Sequence, residues 1–184
     1  TISRSKMSVE YPTNFMLVCA MNPTPAGDFS SQDTQAIYND PASQRYLAKI
    51  SGPLLDRIDL HIEVPKGKIE DLSKKPTGER AEAMRDRVIR ARDRQIARYK
   101  TFNQKNPKQK TFKNADLSSK LVQEICFIND EGKDLMKRAM NRMGLSARAY
   151  DRILKVARTV ADLAGEENIS TAHLSEAIQY RSLD

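Results

Sequence analysis

The chain has 184 residues, with 31 Lys and Arg against 24 Asp and Glu, a net charge of +7, 30% charged residues and 39% apolar ones, which allows one large domain or two small ones with a buried core. Its seven glycines (27, 52, 67, 78, 132, 144 and 165) include no two spaced five apart, so neither a G-x-x-x-x-G-K-[ST] phosphate loop nor a G-x-G-x-x-G turn occurs within these residues. The longest apolar run, Phe15 to Met21, is seven residues long, far short of the ~20 needed to cross a bilayer. Cys19 and Cys126 lie in apolar stretches without a C-x-x-C partner, and the chain starts at Thr1 with no leader pattern. This reads as a cytoplasmic, reduced protein with two buried thiols, beginning at an internal boundary and having no membrane partner.

Residues 1–64 carry five basic and seven acidic side chains, net −2, whereas residues 65–184 carry 26 and 17, net +9. The stretch 80–113 alone holds 12 basic and three acidic groups. Weak alternation over 1–12 suits a small hairpin, and the continuous apolar run 14–21 has the composition of a buried parallel strand. It stops at Asn22-Pro23, where the Pro-, Gly- and Asp-bearing stretch to 34 predicts a surface loop, and 42–50 can form a short helix. Ile58, Leu60, Ile62 and Val64 alternate with Asp59, His61 and Glu63, the pattern of a second core strand with the apolar set inward. The Pro-, Gly- and Lys-rich passage 67–78 reads as a linker between an α/β part, 1–66, and a helical part, 79–184.

In the helical part, an Arg-rich helix is expected over 79–99, with apolar marks at Ala81, Met84, Val88, Ala91, Ile96 and Tyr99. A polar linker follows over 103–114. Further helices are expected at about 116–127, 129–143, 146–164 and 170–180, with Asp116, Asn129, Ser146 and Ser170 as N-caps and Gly144 and Gly165 as stops. The stripe expected to be buried on the fourth is Ala149, Ile153, Val156, Ala157, Val160 and Ala164.

Four features carry chemistry. Asn22, directly after the apolar run, sits where a strand end meets a ligand in open α/β folds, or is simply a turn former before Pro23. Arg57, in Ser51-Gly52-Pro53-Leu54-Leu55-Asp56-Arg57-Ile58-Asp59-Leu60, either presents a guanidinium to a phosphate or pairs locally with Asp56 or Asp59. Arg148 follows the Ser146 cap in the first turn of a helix, where a cation opposes the helix dipole and calls for an anion, a ligand or a neighbouring carboxylate. Arg80, Arg87, Arg94 and Arg98 share one side of a helix, a stripe for nucleic-acid phosphates or a solvated face. His61 and His173 are far apart with no Cys partner, which fits surface or capping roles and no metal site.

The segments Phe15 to Pro23, Ser51 to Leu60 and Leu145 to Leu154, with Ala157 to Leu163, resemble the magnesium-chelatase-like AAA+ ATPases, most closely the competence-related ComM/YifB branch. The resemblance implies the C-terminal part of an α/β AAA+ core, containing a hairpin and two core strands, followed by an all-α lid. Asn22 would be sensor 1, Arg57 an arginine finger entering a neighbouring subunit's site, and Arg148 sensor 2. Such proteins form rings, commonly hexamers, and use ATP and Mg2+; the branch is associated with remodelling of DNA. Neither the Walker A loop nor the acidic Walker B strand falls within these residues, so this stretch alone is expected to be inactive and to hold no cofactor tightly. The cysteine cluster of relatives is replaced by Thr24, Ala26, Ile37 and Asn39, and no metal is expected. A chelatase-type subunit driving a protein partner and a non-enzymatic basic helical module that binds nucleic acid are the alternatives.

Overall fold

The computed structural model describes residues 2–4, 7–12, 15–22, 41, 44–45, 48–49, 52–64, 78–106 and 110–181. The chain divides into two compact units, Thr1–Lys49 and Ile50–Asp184. The loop expected after Asn22, five of the nine residues of the helix expected at 42–50, the bulk of the 67–78 linker and the four positions aligned with the cysteine cluster lie outside the described residues.

In the first unit, strands β1 (Ile2–Arg4) and β2 (Met7–Val9) form an antiparallel hairpin in the register Ile2 to Val9 and Arg4 to Met7. The apolar run after it carries no regular structure and pairs with no strand among the described residues, and its large side chains are exposed from Phe15 to Val18 and again at Met21. Within the described residues the expected buried strand is not formed, and Cys19, expected to be buried, is exposed. A parallel strand needs a backbone ladder and covered faces. Among the described residues the two hairpin strands pair only with each other.

The second unit is helical: α1 (Gly52–Leu55), α2 (Ala81–Lys105), a 3-10 turn (Asn114–Asp116), α3 (Ser119–Ile125), α4 (Asp130–Met143), α5 (Ala147–Ala164) and α6 (Thr171–Gln179). The expected caps at Asn129, Ser146 and Ser170 each accept a hydrogen bond from the third residue of their helix. Gly144 and Gly165 close α4 and α5 with φ of 64° and 82°, a left-handed conformation that costs a residue without Cβ little. Two boundaries differ from expectation. α2 runs on to Lys105, where Asn103 both donates to the Thr111 carbonyl (2.7 Å) and accepts from the Thr111 amide (2.8 Å). α3 is capped by Ser118, because Asp116 is already committed to the 3-10 turn and Leu117 is extended.

α5 is the central helix, packed against α6, α2, α3 and the 3-10 turn. Its buried face is Ala149, Ile153, Leu154, Ala157, Arg158, Ala161 and Asp162. Of the other residues expected inside, Val156 is half-buried against the core, Val160 is half-buried and Ala164 is exposed, while the charged Arg158 and Asp162 are buried. The core around α5 is completed by Tyr99, Leu117, Leu121, Val122, Met136, Ile169, Leu174 and Ala177. On α2 only Ala91, Gln95 and Tyr99 are buried, and the expected marks Met84, Val88 and Ile96 are exposed. The first ten residues of α2 are exposed all round, so an apolar periodicity there has no surface to meet within the unit.

Asp162, 1% exposed, accepts both terminal nitrogens of Arg98, the side-chain amide of Asn114 (2.9 Å) and Nε of Arg158 (3.2 Å). Arg158 in turn donates to the carbonyls of Glu166 (2.7 Å) and Glu167, tying down the chain after α5. Asn114 accepts from the Tyr99 hydroxyl (2.6 Å) and donates to Thr159 (2.9 Å). Burial alone would push the Asp162 carboxyl up, but the Arg98 and Asn114 hydrogen bonds and the two guanidinium charges more than reverse this and hold it below its ordinary value. Around it, burial pushes the Tyr99 phenol and the Cys126 thiol up to about 12, which leaves both neutral.

Removing Asp162 leaves two guanidiniums uncompensated, so Asp162→Ala should destabilise the fold by about 3–5 kcal/mol in urea unfolding. Because the folded carboxyl titrates below the unfolded one, its stabilisation is full above about pH 4 and declines as pH falls through the lowered folded value. Asp162→Asn should therefore flatten the acid limb of a stability-against-pH curve; an unchanged limb would remove this group from the explanation.

Candidate functional site

The turn Asp56-Arg57, which follows α1, and the irregular residues 58–64 belong to the helical unit. The Arg57 and Ile58 amides donate back to Leu54 and Leu55 (2.9 and 3.0 Å), so the turn is tight against α1. Its outward groups are taken by the ends of two longer helices. Ser146, while capping α5, donates its hydroxyl to Oδ1 of Asp56 (2.9 Å). Arg152, six residues further along α5, donates to the Arg57 carbonyl (2.6 Å) and to the Asp59 carboxylate. Arg181, just beyond α6 and 1% exposed, donates to the Ile58 carbonyl, lies 3.4 Å from the Asp56 carbonyl and pairs with the Asp56 carboxylate at 3.7 Å.

The Asp56 and Asp59 carboxylates are therefore drawn to Ser146, Arg181 and Arg152, and neither forms the local ion pair with Arg57 that the sequence allows. The exposed Arg57 guanidinium makes one hydrogen bond, to the carbonyl of Pro53 on α1. Its other donors point to no protein acceptor among the described residues, which leaves a planar fork free for an anion.

The expected strand at 58–64 is corrected. Leu60, Ile62 and Val64 are exposed, and His61 is buried at 5% exposure, with its amide donating to the Tyr180 carbonyl (2.7 Å). Neither face of the expected strand is covered, since Asp59 and Glu63 are exposed as well and only His61, bonded to the end of α6 rather than to a sheet, is buried.

Arg148 is exposed in the first turn of α5 and has no hydrogen-bond or ion-pair partner among the described residues. It lines a shallow cleft with Ser119, Met140, Ala147, Tyr150 and Asp151. The neighbouring carboxylate that would explain a cation at this helix end is thus not engaged. Through the Asp56–Ser146 hydrogen bond, the Arg57 turn and the helix start that carries Arg148 form one locality. Asn22 is exposed at the end of the apolar run in the other unit.

The basic stripe is broken by its own chemistry. Arg98 is turned inward onto Asp162 and Asn114, a correction to its expected place among phosphate ligands. Arg87 is held in a two-point pair by Glu79 (2.8 and 3.1 Å). Arg80 and Arg94 remain exposed without such a partner. His173 closes a capping box with Ser170, its Nδ1 accepting from the Ser170 amide (3.2 Å). Among the described residues no group of three or more His, Cys, Asp or Glu could hold a metal ion, and no helix is long and apolar enough to cross a membrane.

Sequence reasoning missed Arg152 and Arg181, the two side chains that hold the turn. A signal was present: Asp56 and Asp59 needed partners, and both arginines sit at helix ends bordering recognisable motifs.

The fold and site together define a mostly helical protein that presents two unpaired arginines, one on a clasped turn and one at a helix start. A family model described as magnesium chelatase, subunit ChlI C-terminal, matches residues 78–181, and one described as magnesium chelatase, subunit ChlI, matches residues 1–72. The chain belongs to this magnesium-chelatase-like family, and its helical part is a C-terminal region of that AAA+ ATPase family. It is 38% identical over 185 residues to competence protein ComM of Haemophilus influenzae, covering 99% of this chain and 33% of that protein. It is 36% identical over 184 residues to YifB of Escherichia coli, covering 100% and 34%. A Mycobacterium tuberculosis protein is 32% identical over 171 residues, covering 93% and 32%. The chain thus spans about a third of the length of these relatives.

Ser146→Ala removes both the α5 cap and the Asp56 contact, and should cost about 1–2 kcal/mol in thermal or urea unfolding. Ser146→Thr, which keeps the hydroxyl, should recover most of that loss.

Proposed function

We propose that these residues are the phosphate-sensing and lid part of a ring-forming AAA+ ATPase, with the α/β core implied at 1–66 and the lid at 79–184. The observation that carries this is the pair of arginines without acidic partners, Arg57 and Arg148, joined through Asp56 and the Ser146 cap. Arg57 acts as the arginine finger, neutralising charge on the phosphoryl group transferred in a neighbouring subunit's site. Arg148 acts as sensor 2 at the helix start, where the dipole and the guanidinium both favour an anion, and Asn22 as sensor 1, orienting the attacking water. ATP and Mg2+ are bound by a longer chain that also carries the Walker A and B elements. The exposed apolar run at 15–21 fits this reading, because it has the composition of a strand that completes a larger sheet.

The polymer acted on is DNA in the favoured reading. Its support is the net +9 of residues 65–184 together with exposed Arg80 and Arg94. A second reading, a chelatase-type subunit that drives a protein partner, is favoured by the internal pairing of Arg87 and Arg98, which thins the basic stripe. A steep salt dependence of DNA binding that weakens in Arg80→Ala/Arg94→Ala separates the two.

In the full-length protein, Arg57→Ala should lower ATPase kcat by about 10³-fold. Adding subunits that keep Arg57 but lack their own Walker B acid should restore part of the rate, since the finger works across the interface. Unchanged turnover in Arg57→Ala would remove Arg57 from the reaction.

A further inference from the structure

Three consecutive carbonyl oxygens, those of Asp56, Arg57 and Ile58, face arginine donors from outside their own segment: Arg181, Arg152 and Arg181 again. These are backbone groups of a turn and the residue after it, outside any sheet, where carbonyls would otherwise face water and the chain would sample many conformations. The amides of Arg57 and Ile58 are bonded as well, to α1. At Arg57 the backbone is fixed on both sides while the side chain keeps most of its donors free.

Arg152 has a second effect. Asp59, two residues from Arg57, is the nearest acid in sequence not already held by the Ser146 cap, and Arg152 engages its carboxylate with the same nitrogen that holds the Arg57 carbonyl. Without Arg152, the turn loses a fixed carbonyl and Asp59 becomes available to neutralise Arg57. Arg152 stands four positions after Arg148 on the rigid helix α5.

We infer that Arg152, together with Ser146 and Arg181, is a positioning residue that aims Arg57 and couples it mechanically to Arg148. The inference rests on the proposed reading of Arg57 as a finger. The arginine offered to a neighbour's phosphate and the arginine offered from the lid then move as one body. A change at one nucleotide site is passed to the next without a separate relay.

The test is a double-mutant cycle in the full-length protein, with steady-state ATPase kinetics and thermal midpoints for wild type, Arg152→Ala, Arg57→Ala and the double variant. Arg152→Ala should lower kcat by about 10- to 100-fold, the scale of a catalytic group displaced by about 1 Å. KM for ATP should stay within about twofold, and adding Arg152→Ala to Arg57→Ala should cause no further loss. Should the alanine variant fail to fold, Arg152→Gln takes its place. Two results overturn the inference: wild-type kcat in a folded Arg152 variant while Arg57→Ala is impaired, or an equal fractional loss from Arg152→Ala in both backgrounds, the mark of a general structural role. Full activity in Arg57→Ala itself would instead overturn the finger reading on which this inference stands.

Discussion

Asp162 is a carboxylate in the interior of the helical unit, and its ionisation there depends on Arg98 from α2, Arg158 from its own helix and Asn114 from the 3-10 turn all being in place. An interior charge that loses one partner is costly, whereas a fully bonded one locks the elements that supply its partners. Two parts of the chain distant from α5 in sequence, α2 and the 3-10 turn, are thereby fixed to it near its C-terminal end. The Arg158 bonds to the Glu166 and Glu167 carbonyls extend this to the connection leading into α6. The packing of α5 through Ala149, Ala157 and Ala161 follows the same orientation, because small residues on the inward face let neighbouring helices approach closely.

At the other end of α5, about 27 Å away for 18 helical residues, the same rod presents Ser146, Arg148 and Arg152. There it grips a turn instead of a charge. Arginine suits that task, since its planar fork can meet a carbonyl and a carboxylate together, and Asp56 and Asp59 provide both kinds of acceptor. Once those acids are engaged elsewhere, Arg57 is left unpaired at the surface. Interior network and surface clasp are two ends of one rigid element, which is why the presentation of both candidate arginines depends on how α5 is held.

Local chemistry made the caps and stops legible. Asn129, Ser146, Ser170, Gly144 and Gly165 do what their residue types favour within four residues of themselves. The helical order of the second unit followed from them, and the motifs carried the family. Long-range pairing was not legible. Arg98 and Asp162 are 64 residues apart, and a charged residue reads as solvent-facing until its partner is known, so the expected buried face of α5 leaves out Arg158 and Asp162, and Arg98 is counted with the surface stripe. The two apolar runs show a different limit. Alternation at 58–64 records which residues favour burial but not which neighbour supplies hydrogen bonds, and the end of α6, through Tyr180 and Arg181, engages Ile58 and His61 and leaves the apolar set at 60, 62 and 64 exposed.

The central claim is that the Arg57 segment is clasped to the helices that follow it rather than lying as a loop beside them. Amide hydrogen exchange at His61 reads this directly, because that amide donates to the Tyr180 carbonyl and has no strand partner to protect it otherwise. Exchange slowed to the level of the α6 amides, with protection lost together with α6 under mild denaturant, is the expected result. Exchange at the rate of an open chain while α6 stays protected would contradict the clasp.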